Sequence, residues 1–295
     1  MTDKKLEKEI NTLKKNTGLS LNLQDFSDAD PQFVVEQLRK INRAYMEKYD
    51  QGYFWKNIFM SKIGKAEITE QAKGFGIPSD GKYALFLIKA KHEMSANAYE
   101  ILKQLFPVQL YNYIVKIEDD TAAVINYVRD IDNHDIAKCI HDTLNTEAMM
   151  YVGVSYSEKS YSLEELNEAY TKASRAMSIG KMFYYQKSIY IFEQMGTGEM
   201  IYSLDNDTCN RFLNSIKGRD ELEKFDSELM HTVDCFLENN LNIAETSRQV
   251  HMHRNTLIYR IEQIQKKTGL DIRSFDDAMT FRLASMVLKL KNMED

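Results

Sequence analysis

The sequence predicts an α+β chain in which a βαββαβ sheet domain is followed by an all-α domain. Three observations predict this. Three prolines and twelve glycines in 295 residues leave few helix breakers. Between about Tyr83 and Tyr156 the apolar pattern contains short runs of strand type. From about Asp205 onward it is helical throughout. The length suits two domains and a short extra element.

The elements follow in order. Leu6, Ile10 and Leu13 have helical spacing, and Gly18 stands where a helix stop needs positive φ. Asp28-Ala29-Asp30-Pro31 reads as a helix start, with Asp30 as N-cap and Pro31 at the first helical position. Val34, Leu38, Ile41, Tyr45 and Tyr49 then form one apolar stripe, continued by Tyr53-Phe54-Trp55. This stripe is expected to pack on the next domain or to make a dimer contact.

Tyr83–Ile88 reads as a strand, and Ser95–Phe106 as a helix ending before Pro107. Tyr111–Ile117 and Thr121–Tyr127 make a hairpin turning through Glu118-Asp119-Asp120. A helix over 131–147, a strand over 149–156 and a helix from Ser162 to about Ile179, stopped at Gly180, complete the sheet domain. Four helices follow, at 230–241, 243–250, 253–267 and 275–291.

The last joints carry the chemistry. Asn242 can cap a short helix whose inner face holds Ile243, Ser247 and Val250. His251 falls at a turn that favours positive φ, and His tolerates that conformation. Leu257, Ile261 and Ile264 point inward on the next helix, which leaves Arg254, Asn255 and Thr256 exposed on its first turn. Tyr259 and Arg260 lie one turn on. Asn can pair bidentately with adenine and Arg with guanine, while Thr and Tyr reach phosphates. The residues expected to contact DNA are Arg248, His253, Arg254, Asn255, Thr256, Tyr259 and Arg260. An ordinary αα-hairpin with a polar face would show similar residue types.

Charge supports the first reading. Net charge is −6, yet 242–268 carries five Lys/Arg against two acids. A basic element on an acidic body suits specific binding better than bulk adsorption.

The motif His253-Arg-Asn-Thr-Leu257, with Tyr259-Arg260-Ile261 and Thr268-Gly-Leu-Asp271, resembles the PucR/CdaR family of regulators. Leu237-Glu-Asn-Asn240 and Thr246-Ser247 add to the likeness; alanine is common in the family where Ser247 stands. The resemblance implies a transcriptional regulator that binds double-stranded DNA through a recognition helix at about 253–267. The middle of the chain is similar to the family's degenerate GGDEF-type domain, through Phe106-Pro107, Asp142-Thr143-Leu144, Val152-Gly153-Val154 and Ile179-Gly180-Lys181. The domains implied are a helical arm at 1–50, a GGDEF-like domain at 51–200, a helical linker at 201–228 and a helix-turn-helix domain at 229–295.

True cyclases of that type use a glycine-containing hairpin and carboxylates that hold metal. Here the hairpin is glycine-free, and Lys89-Ala90 stands where a second metal-binding acid would be needed. A nucleotide cyclase is therefore not expected. No catalytic residue, metal ligand or cofactor is assigned, and the chain is expected not to be an enzyme. The three cysteines form no CxxC pair, which suits reduced thiols. A charged start without an apolar h-region and the lack of ~18 consecutive apolar residues point to a cytoplasmic protein without a membrane partner. The first fifty residues are too short for a dedicated sensory domain, so any small-molecule effector is left unassigned. A homodimer is expected, because one recognition helix reads few base pairs. An effector-sensing or scaffolding protein without DNA binding is the alternative.

Overall fold

In a computed structural model of the chain, residues 2–22, 26, 30–129 and 131–294 are described. They form two compact units, Met1–Ser178 with Lys187–Gln194, and Ile179–Gln186 with Met195–Asp295.

The first unit opens with α1 (Thr2–Thr17) and α2 (Pro31–Tyr49). Asp30 caps α2, its carboxylate accepting from Gln32 N at 3.2 Å; Asp28 and Ala29 lie outside the described residues. Leu6, Ile10 and Leu13 of α1 pack on Val34, Val35 and Leu38 of α2, all buried. Much of the apolar stripe of α2 is thus consumed within the arm. Ile41 is 53% exposed, so the stripe does not continue inward as expected. The Tyr49 side chain lies outside what is described. The helix α3 (Gln51–Phe59) buries Phe54 and Trp55, and the Trp55 ring sits 4.9 Å from that of Tyr113. Those two aromatics belong to the sheet domain's core and are closed to another copy.

After α4 (Lys65–Gly74) come β1 (Tyr83–Ala90), α5 (Ala96–Leu105), β2 (Tyr113–Glu118), β3 (Thr121–Tyr127) and α6 (Asn133–Thr146). Then follow β4 (Val152–Tyr156), α7 (Leu166–Phe183) and β5 (Ile189–Ile191). The sheet order is β2-β3-β1-β4-β5. All pairs are antiparallel except β4 with β5. Phe86, Ile88, Val124 and Val154 share one core cluster with Ala98 and Leu102 of α5 and Ile140 and Leu144 of α6. Ser155 lies beneath α7, donating to Ala173 O at 2.7 Å. Both faces of β1 are covered, which is why Tyr83–Ile88 is a continuous apolar run rather than an alternation.

Two expectations are corrected here. The helix expected to stop at Gly180 continues to Phe183. Gly180 is buried, so packing overrides a local cost of ~1 kcal/mol. The strand β5 was not expected; three residues are too few to show a period, and its pairing with β4 creates it.

The acidic hairpin tip is neutralised from β1. Lys89 Nζ lies 3.2 Å from Asp120 Oδ2 and 3.8 Å from Glu118 Oε2. A lysine rather than a carboxylate thus faces the hairpin tip from β1.

The second unit holds α8 (Gly196–Tyr202), α9 (Asn206–Asn214), α10 (Arg219–Leu222), α11 (Ser227–Glu238), α12 (Ile243–Gln249), α13 (Arg254–Thr268) and α14 (Phe275–Glu294). Asp205 and Asp226 cap α9 and α11, accepting from Thr208 N and Leu229 N at 2.7 Å each. Val233 and Phe236 of α11 are buried, and Phe225 stacks on Phe281 of α14. Val233 and Phe236 thus belong to the core of their own unit. Among the described residues no helix is long and apolar enough to cross a membrane.

Candidate nucleic-acid interface

The site is built on α12, α13 and the turn between them. Asn242 Oδ1 accepts from Ala244 N and Glu245 N, so the start of α12 is capped as its sequence dictates. The inward residue is Thr246, fully buried, rather than Ser247, which is half-buried. Thr246 can be inside because its hydroxyl donates to Asn242 O at 2.8 Å, leaving its methyl for packing. Ser247 serves the turn instead, where its carbonyl accepts from Met252 N at 2.9 Å. His251 adopts the left-handed φ of 50° that the turn requires.

His253 is the N-cap of α13, its Nδ1 accepting from Asn255 N at 3.2 Å. Leu257, Ile261 and Ile264 are buried to within 1% exposure, so the rotation of α13 about its axis is determined. Gly269 closes the helix at φ 77°, donating to Gln265 O at 2.8 Å. With the inner face anchored, Arg254, Asn255 and Thr256 stand exposed together on the first turn, and Tyr259 is 60% exposed one turn on. The positive end of the α13 dipole lies at this exposed turn, whose Asn255 and Thr256 amides donate to His253.

The three arginines differ. Arg254 is exposed and engages no hydrogen bond or ion pair among the described residues. Arg248 is exposed and pairs with Glu245 on its own helix, an interaction worth little in water. Arg260 is committed inside the unit. Its Nη2 lies 2.6 Å from Glu228 Oε1, and its Nη1 donates to Thr232 Oγ1 at 3.1 Å, both on α11. Glu228 and Thr232 were not visible as part of the site from sequence. They lie 32 and 28 residues from Arg260, and no local period links them.

Two short helices joined by a tight turn, with the second presenting a polar first turn, define a helix-turn-helix of the kind that reads a groove. Residues 229–287 match the PucR C-terminal helix-turn-helix domain, and the chain carries that domain. The chain is 29% identical over 129 residues to the purine catabolism regulatory protein of Bacillus subtilis, covering 43% of this chain and 24% of that protein. It is 28% identical over 148 residues to the proline-responsive transcriptional activator PutR of the same organism, covering 48% and 35%. Against the carbohydrate diacid regulator of Escherichia coli it is 28% identical over 116 residues, covering 39% and 30%. The matches span only about a quarter to a third of these relatives' own length.

Proposed function

We propose that the protein is a sequence-specific, DNA-binding transcriptional regulator that reads the major groove with α13. The observation that carries this is the exposure of Arg254, Asn255, Thr256 and Tyr259 on a helix whose opposite face is fully buried. The match of 229–287 to a helix-turn-helix domain, and relatives named as regulators, support it. Arg254 and Asn255 read base edges. Thr256, Tyr259, Arg248 and the free ring nitrogen of His253 serve the backbone. Domain limits of 1–50, 51–200, 201–228 and 229–295 divide arm, non-catalytic GGDEF-like domain, linker and reading head. In this reading the GGDEF-like domain serves dimerisation or signal coupling. The lysine at position 89, paired with Asp120, opposes two-metal chemistry at the hairpin.

The working unit is a homodimer, since two recognition helices about one DNA turn apart, ~34 Å, provide the preference a regulator needs. Sequencing the genomic fragments that the purified protein captures tests both statements. Enriched inverted repeats with half-sites about one turn apart are expected, together with a dimer on that DNA in sedimentation equilibrium. Capture with no common sequence would overturn the regulator reading. A monomer that binds a single half-site with full affinity would overturn the dimer.

Arg260 is assigned a different role from its neighbours. Its charge is already answered by Glu228, so it sets the position of α13 on α11. Arg260→Ala is expected to lower the thermal stability of the unit while leaving the slope of log K against log salt close to that of the wild type. An arginine bound to phosphate would take about one unit from that slope. Anisotropy titrations at several salt concentrations measure the difference, and a loss of one unit would return Arg260 to the DNA contacts.

A further inference from the structure

The rotation of α13 is fixed along its whole length, not only at the first turn. Leu257, Ile261, Ile264 and Thr268 form its buried side. At about 100° per residue, the side directly opposite carries Asn255, Tyr259, Glu262 and Lys266, and all four are exposed. The outward stripe therefore runs on from Asn255 for three further turns, and an acid stands in its middle.

That acid is out of keeping with its surroundings. The basic stretch 242–268 holds two acidic residues, Glu245 and Glu262. Glu245 is paired with Arg248. Glu262 has no hydrogen bond or ion pair among the described residues. The cation near it is Arg273. The guanidinium of Arg273 is already held by both oxygens of Asp271, at 2.7 and 2.8 Å, and donates to Gln265 at 2.9 Å. No group of the unit answers the charge of Glu262, although its helix is the one offered to a polyanion.

Position and charge together limit what the carboxylate can meet on DNA. Glu262 stands seven residues after Asn255, a rise of about 10 Å along the helix, or roughly two to three base-pair steps depending on tilt. Phosphate oxygens repel a carboxylate. In the major groove guanine shows it two acceptors, and thymine an acceptor and a methyl group. Adenine offers an amino donor but sets the N7 acceptor beside it. Cytosine offers the N4 amino group alone, so it is the base that a carboxylate fits.

We propose that Glu262 is a specificity-determining residue, its carboxylate accepting a hydrogen bond from the N4 amino group of a cytosine roughly two to three base pairs from the base met by Asn255. The assignment rests on the reading of α13 as the groove-binding helix, and its test separates the two.

The full chain is used to select duplexes from a randomised DNA library, and anisotropy is then measured on the four single-base variants at each enriched position. The wild type is expected to prefer C·G at one position by a factor of roughly 5 to 150. Glu262→Ala should lose that preference and keep the preference at the position read by Asn255. Glu262→Gln should transfer it to A·T, because glutamine pairs with adenine N6 and N7. Since the side chain is exposed and unpaired, both variants should unfold at the wild-type temperature.

A carboxylate that faced phosphate would give another result. Both variants would then bind every duplex more tightly by one common factor, with the wild-type base preferences intact, and the assignment would be overturned. Retention of the C·G preference by either variant would overturn it too. If Asn255→Ala relaxes its own position in the same assay, α13 remains the reader although Glu262 has failed. A selection that enriches no sequence would overturn both.

Discussion

Replacing Asn255 with Ala is expected to weaken binding to a captured operator by about 1–3 kcal/mol, a factor of roughly 5 to 150 in Kd, and Arg254→Ala by a similar amount. The expectation rests on geometry. Both side chains are exposed on the first turn of α13, and neither supports the fold. Asn255 contributes its backbone N–H to the His253 cap, and alanine retains that group. Each substitution should therefore leave the circular dichroism spectrum and the unfolding curve unchanged while relaxing preference at one base position. The two changes should also differ in salt dependence. Arg254→Ala removes a free cation and should reduce the salt slope, whereas Asn255→Ala should leave it unchanged. Fluorescence anisotropy against the operator and a scrambled duplex separates these effects. Unchanged affinity in both variants, with folding intact, would remove α13 from the role of reader.

A substitution outside the reading head is expected to have the largest effect on stability. Gly218 precedes α10, and a Cβ there would lie 2.2 Å from the Cα of Thr268 and 2.8 Å from its carbonyl carbon and oxygen. Thr268 is buried and cannot yield cheaply. Its hydroxyl donates to Ile264 O at 2.8 Å and accepts from Leu270 N at 3.2 Å. Gly218→Ala must therefore push the end of α13 away from α10 or unwind the end of α13. A cost of about 3 kcal/mol or more follows, with the melting temperature of the unit falling by roughly 10 °C or more. Operator affinity should fall with it, because the end of α13 is displaced. Gly74→Ala is the matched control. That glycine ends α4, and an added Cβ meets nothing within 4 Å. Calorimetry on the full chain compares the two. A Gly218→Ala trace that overlays the wild type would show that the α10–α13 approach is loose, contrary to the packing described here.

Much of the architecture is legible in the residues themselves because it is encoded locally. Asp30-Pro31, Ser95 and Asn242 are helix starts whose side chains or fixed φ act within a turn of where they stand. The run Tyr83–Ile88 can only be a doubly covered strand or a buried helix, and its shortness decides for the strand. Leu257, Ile261 and Ile264 set the buried face of α13, so the exposure of Arg254, Asn255 and Thr256 follows from periodicity alone.

Only the tertiary structure could decide what depends on distant partners. On α2, Val34, Val35 and Leu38 pack against α1 while Ile41 stays exposed, and Phe236 is buried in its own unit, where Phe225 stacks on Phe281. Thr246 replaces Ser247 on the inside because one main-chain carbonyl is placed to receive its hydroxyl. The strand β5 exists because β4 offers an edge, and the helix past Gly180 persists because it is buried. Arg260 looks like its neighbours in the sequence, yet it is bound by Glu228 and Thr232 from another helix. An amphipathic period states which side of an element is apolar. It carries no information about which surface, tens of residues away, will cover that side or claim a charge on the other.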